Sequence, residues 1–176
     1  MKLYTIDDVM KLELLPPFKR DEIERLFSGR SHMSFLDIMQ DHGITQNKKT
    51  SLAMCEGVLK DGIVKDWICR IDKQAEKHMI KLVEAGKSLR ASAYIAALSY
   101  AGVSAFKKAG IERIRALIES FVNSSPSSWA NRIKTGADEI EVKQEGVRRG
   151  DLLKQEYKRL FDILLDLVRN EGCRNG

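Results

Sequence analysis

The sequence predicts an all-α protein, a single-domain helical bundle of about seven or eight helices around a buried central helix at 88–109. Three observations carry this. The chain has 176 residues and only 3 prolines, with too few turn signals for a β-sandwich and a wealth of Ala, Leu, Lys, Glu and Arg. Apolar residues recur at helical spacing along most of its length. And the stretch from Ser88 to Ala109, S-L-R-A-S-A-Y-I-A-A-L-S-Y-A-G-V-S-A-F-K-K-A, holds no charge between Arg90 and Lys107. On a helical wheel Tyr94, Ile95, Leu98, Tyr100, Val103 and Phe106 point in nearly every direction. A helix apolar all round is expected to be buried on all sides, leaving no room for a cleft beside it. Its alanines and Gly102 would let neighbouring helices approach closely.

The elements follow in order. Thr5 with Asp8 three residues on is an acidic variant of the capping box, and opens a first helix through Ile6, Val9 and Met10. That helix must stop before Pro16-Pro17. The second helix is D-E-I-E-R-L-F-S at 21–28, stopped by Gly29. The third begins at Ser34, again with Asp three on, and ends near Gly43. Residues 1–44 thus form a small helical cap. A fourth helix runs from Gln46 to Lys60, with Leu52, Cys55 and Leu59 as its buried stripe. The fifth, Ile63 to Ala85, is the clearest amphipathic signal, about 35 Å long at 1.5 Å per residue. Val64, Trp67, Ile68, Ile71, Ala75, Met79 and Leu82 fall on one face, and Asp66, Arg70, Lys73, Lys77, Lys81 and Glu84 on the other. The central helix follows, stopping at Gly110, and a seventh spans 111–122. Residues 45–122 are the core bundle. After the loop N-S-S-P-S-S at 123–128, residues 129–170 are a charged helical region. Its first half is weakened by Gly136, Gly146 and Gly150, and its second half is strong.

Charge narrows the function classes. Lys and Arg number 30 against 25 Asp and Glu, a net +5. Residues 60–120 hold 12 of the basic and 7 of the acidic residues, so the surplus sits in mid-chain. Three unpaired cysteines, Cys55, Cys69 and Cys173, suit a reducing cytoplasm rather than a disulfide framework. Cys55 and Cys69, inside amphipathic helices, read as small buried hydrophobes. M-K-L-Y-T-I-D-D lacks a signal peptide's apolar core, and the uncharged run is shorter than a bilayer span. Neither secretion nor membrane insertion is expected.

Motifs for catalysis, metals and cofactors are absent. His32, His42 and His78 pair with no other His or Cys at ligand spacing. No G-x-S-x-G or phosphate-binding glycine loop occurs. The chain is therefore expected to be a non-enzyme without cofactor or metal. The best basic feature is the row Arg70, Lys73, Lys77 and Lys81, long enough to contact phosphates or an acidic protein partner and diluted by the flanking Asp66 and Glu84. Nucleic acid is the second reading. Residues 51–68 can be laid on a helix-turn-helix, although Asp61 and Asp66 would then face phosphates.

Y-T-I-D-D-V at 4–9, D-E-I-E-R-L-F-S-G-R at 21–30, S-F-L-D-I-M at 34–39 and W-I-C at 67–69 resemble a family of small helical proteins from bacteria and their phages, some of them immunity proteins of the Imm-5-like type. T-Q-N-K-K-T-S at 45–51 and Ile71 depart from that family's pattern. The resemblance implies no catalytic residues. It implies a helical protein that binds another protein as an immunity or phage accessory factor.

Overall fold

The computed structural model describes residues 2–12, 18–108, 110 and 137–174, the side chains of 137–149 and 172–174 excepted. The expected seventh helix at 111–122 and the loop at 123–128 lie outside the described residues. The protein is all-α. Eight helices are seen among the described residues: α1 (Ile6–Met10), α2 (Arg20–Phe27), α3 (Phe35–Gln40), α4 (Gln46–Ala53), α5 (Asp61–Ile71), α6 (Lys73–Glu84), α7 (Leu89–Lys108) and α8 (Ala137–Arg174). Two compact units are distinguished, Met1–Tyr100 with Tyr157–Gly176, and Ala101–Glu156.

In the first unit, both expected capping boxes form. The Thr5 backbone N–H donates to Asp8 Oδ2 at 2.9 Å while Asp8 N–H donates to Thr5 Oγ1 at 3.1 Å. Ser34 Oγ donates to Asp37 Oδ2 at 2.6 Å and accepts from Asp37 N–H at 3.1 Å. The residues just before these caps pair as a two-stranded antiparallel ribbon, β1 (Leu3–Tyr4) and β2 (Met33–Ser34), with Tyr4 opposite Met33. The ribbon thus joins the starts of α1 and α3. Two residues are too short a run for any alternation to announce them.

Hydrogen bonding to the charged form holds Asp8 below its ordinary 3.8, chiefly through the Thr5 N–H. The Lys48 ammonium, 2.7 Å away, does the same for Glu22 against its ordinary 4.5. Both carboxylates bind protons more weakly in the fold than in the unfolded chain. The stability they contribute is present above pH 4.5 and lost as pH falls through their folded pKa values. The double variant Asp8→Asn/Glu22→Gln is therefore expected to show a flatter decline of urea midpoint with acidification than the parent. An unchanged slope would contradict the assignment.

The expected fifth helix is two helices. Asp72 takes an extended backbone (φ −174°, ψ 150°), and its side chain accepts from Gln74 N–H at 2.7 Å. It closes α5 and caps α6, because a short carboxylate offers the backbone a partner outside the helical ladder. Asp72→Ala is expected to lower stability by about 1 kcal/mol, read as a lower urea midpoint at constant slope. The expected fourth helix also ends early, at Ala53 rather than Lys60. Residues 54–59 turn, and Gly57 holds φ +76°, open to glycine at no steric cost.

The core of this unit includes Val9, Ile23, Phe27, Met33, Ile38, Met39, Leu52, Val64, Trp67, Ile68 and Leu164. Trp67 is fully buried, and its Nε1–H donates to Leu160 O at 2.9 Å, joining α5 to the second half of α8. Lys60 and Glu171 add an ion pair at 3.0 Å.

α7 stands where the sequence places the central helix, but it is not buried on all sides. In the first unit Ser92, Ala93, Ala96 and Ala97 are buried, Tyr94, Leu98 and Tyr100 are half-buried, and Ile95 is 37% exposed. In the second unit Ala101 and Ala105 are buried, Phe106 is half-buried, and Val103 is 51% exposed. The small residues, not the large ones, mark the inward face, as close helix approach requires. Within the second unit the Lys108 ammonium pairs with the carboxylate of Glu156, whose side chain is 2% exposed. α8 runs unbroken through Gly146 and Gly150. Single glycines weaken a helix by roughly 1 kcal/mol each without breaking it.

Candidate functional site

Two surfaces of the first unit could bind something: the outer face of α6, and a groove beside α7.

The break at Asp72 redraws the basic row. Arg70 belongs to α5, while Lys73, Lys77 and Lys81 lie on α6, so the four do not share one helix face. All four are exposed. None has an ion-pair partner among the described residues, whereas Arg20, Arg25 and Lys48 all do. The three lysines stand at four-residue spacing, roughly 6 Å apart along the axis. α6 turns Ala75 and Met79 inward. Beside the lysine stripe, Ile80 is 44% and Val83 40% exposed. Exposed apolar side chains are ordinary one at a time, but these two adjoin the only run of three unpaired cations at helical spacing on α6. Neither stands out in the sequence, because Ile80 and Val83 lie at the border between the apolar and charged faces of the wheel.

The groove was not expected. It encloses about 970 Å³ beside the first turns of α7, with Lys11, Ser51, Cys55, Arg90, Tyr94 and Ile95 among its lining residues. Arg90 donates from Nη2 to Leu59 O at 2.6 Å and to Asp61 Oδ1 at 2.8 Å. Its Nη1 is buried and has no partner among the described residues. The Tyr94 hydroxyl donates to Asn47 Oδ1 at 3.0 Å, and burial above all raises its pKa. Lys11 and Arg90 are matched by Glu56 and Asp61. The groove therefore has no net sign with which to select a charged ligand. Its residues come from the chain just after α1, from α4 and the turn that follows it, and from the starts of α5 and α7, a convergence that no local spacing could reveal.

The cysteines differ from each other. Cys55 is buried, as expected, but Cys69 is exposed and lies 3.1 Å from Glu76 Oε1. That carboxylate, foremost through the hydrogen bond, raises the Cys69 thiol's pKa. The thiol is thereby made less reactive, since the thiolate is the nucleophile. Among the described residues no group of three metal-ligating side chains comes together. Nor is any helix among them long and apolar enough to cross a membrane.

Compared with family models, curated proteins and solved structures, the chain finds no match.

Proposed function

We propose that the chain is a non-catalytic, cytoplasmic helical protein that binds another protein, an acidic one, and masks it. An immunity or phage accessory role is the setting that its N-terminal resemblance suggests. The observation that carries this reading is the α6 face: Lys73, Lys77 and Lys81 exposed and without ion-pair partners among the described residues, next to exposed Ile80 and Val83. Unpaired charge gives steering and partner choice, and adjoining apolar side chains give a patch that gains from being covered. Arg70, at the end of α5, is exposed as well.

The nucleic-acid reading has less support. Seven residues, 54–60, separate α4 from α5, against three or four in a DNA-reading helix-turn-helix. Asp61 and Asp66, at the start and in the middle of α5, are both exposed, where phosphate would approach.

A photo-reactive amino acid at position 77 of the full chain, in its own cell, tests the reading. A discrete protein adduct is expected, abolished when Arg70, Lys73 and Lys81 are changed to Glu and not formed from a probe at exposed Glu24. Those charge reversals lie on the surface and are expected to shift stability by no more than about 0.5 kcal/mol each. Adducts with nucleic acid, or none from position 77, would refute it.

A further inference from the structure

We infer that the partner's contacting element is an amphipathic α-helix whose acidic residues recur every four positions, laid along α6. This rests on the protein-binding reading above and adds the occupant.

The charges on the outer face of α6 are patterned. Reading along the helix, Lys73, Lys77 and Lys81 are followed on the same stripe by Glu84, which is exposed and likewise unpaired among the described residues. At 1.5 Å per residue the three lysines span about 12 Å. Carboxylates four residues apart on a second helix repeat at that same roughly 6 Å interval, so one register brings three of them opposite three ammonium groups. Ile80 and Val83 form a shoulder between this stripe and the inward side marked by Met79. An amphipathic helix supplies what both features need: acidic residues for the stripe and an adjoining apolar row for the shoulder. A helix is also rigid enough to keep that register over three turns.

Glu84 decides against uniformly negative surfaces. A phosphate backbone or an anionic bilayer gains from the lysines but is repelled by a carboxylate in their row. A protein helix can set a lysine or arginine opposite Glu84 and turn the same residue into a source of selectivity. The shoulder, too, gives nothing to a phosphate backbone. Exposed ion pairs are individually weak, so the lysines set approach and register while the apolar shoulder slows dissociation.

The test uses the full chain and a synthetic amphipathic helix. The peptide carries three glutamates at four-residue spacing, a lysine at the end that meets Glu84, and leucines on the adjoining stripe. A peptide of identical composition with scrambled charges, duplex DNA, and phosphatidylcholine/phosphatidylserine vesicles serve as competing probes. At low salt the patterned peptide is expected to bind best. Lys73→Glu/Lys77→Glu/Lys81→Glu should weaken it by about tenfold or more, and Ile80→Ser/Val83→Ser should speed its dissociation several-fold. Circular dichroism confirms that each variant is folded. Glu84→Lys is the discriminating variant: it should weaken the patterned helix, whereas a phosphate or lipid ligand would bind it more tightly. Equal binding of the scrambled peptide, preference for DNA or vesicles, no detectable binding of the patterned peptide, or tighter peptide binding by Glu84→Lys would each overturn the inference. A protein adduct from position 77 alongside any of these failures would retire the helical occupant and leave the protein-binding reading in place.

Discussion

Trp67→Ala is expected to remove about 3–5 kcal/mol of stability, a large share of the roughly 5–15 kcal/mol that holds a domain of ordinary size together. The indole is fully buried. Truncation leaves a cavity the size of two rings, and relaxation of the surrounding packed side chains closes only part of it. A second loss is added: Nε1–H donates to Leu160 O across 93 residues of chain, so Trp67 joins α5 to the C-terminal helix as well as filling space. Trp67→Phe separates the two effects. It keeps most of the apolar volume and drops the hydrogen bond, and should lose about 1–2 kcal/mol. Urea unfolding followed by circular dichroism gives both values, and native-state hydrogen exchange locates the damage. Protection of amides around Leu160 and Leu164 should fall further than that of α2 or α3. If Trp67→Phe were as damaging as Trp67→Ala, the bond to Leu160 would outweigh the packing. If both were mild, Trp67 would not be central to this core.

What could be read from the sequence divides along the range of the forces involved. The Thr5–Asp8 and Ser34–Asp37 boxes are made within four residues, and both were legible as spacing. The break at Asp72 is just as local, yet it was hidden. Trp67, Ile68, Ile71, Ala75 and Met79 keep one helical period across it, so the periodicity runs on where the backbone does not. Only the capping chemistry of Asp72 distinguishes two helices from one, and its place beside Ile68 and Met79 on the continuous wheel, a carboxylate on the apolar face, is the local sign of the break. α7 misled in the opposite way. Hydropathy points Leu98, Tyr94 and Val103 inward, but close packing of helices selects for small side chains, and Ser92, Ala93, Ala96 and Ala97 take the buried face. The basic row was legible residue by residue. Its division between two helices was not, nor was the apolar shoulder at Ile80 and Val83, because both depend on where α6 begins and what covers it. The groove beside α7 draws on residues some eighty positions apart, and no local pattern encodes that.

Lys49 carries the second large prediction. Lysine is almost never fully buried unless paired, and Lys49 is 4% exposed. Its ammonium donates to Met39 O at 2.9 Å and to Asp41 O, and stands 5.1 Å from the centre of the Phe161 ring. Those two carbonyls belong to the C-terminal end of α3, where carbonyls lack helical partners and the helix dipole favours a cation. Lys49 on α4 therefore caps α3 from outside and rests on the C-terminal helix. Two effects oppose each other here. Burial disfavours the charge and lowers the pKa from its ordinary 10.5, with Asp41 pulling the other way. Against that, two hydrogen bonds from a charged donor contribute about 1.5–3 kcal/mol each, and their loss would leave buried carbonyls unsatisfied. The second effect should win. Lys49→Met keeps the length and apolar stem, and is expected to lose about 2 kcal/mol, while Lys49→Ala, which also opens a cavity, loses about 3–5 kcal/mol. The pH dependence gives an independent check. Below 10.5 the unfolded chain holds its proton on Lys49 more firmly than the fold does, so this residue makes stability rise as pH climbs towards that value. Tyr4 and Tyr94, whose pKa values burial raises above 10.0, act the other way, and the stability they hold is lost only as pH passes through their higher folded values. On the alkaline side, up to about pH 10, the gap between wild type and Lys49→Met should therefore widen with pH, since only the wild type sheds a buried charge. A constant gap would mean that the ammonium keeps its ordinary affinity for the proton and that Lys49 acts through its stem alone, and a narrowing gap would mean that the fold holds the proton more firmly than the unfolded chain does.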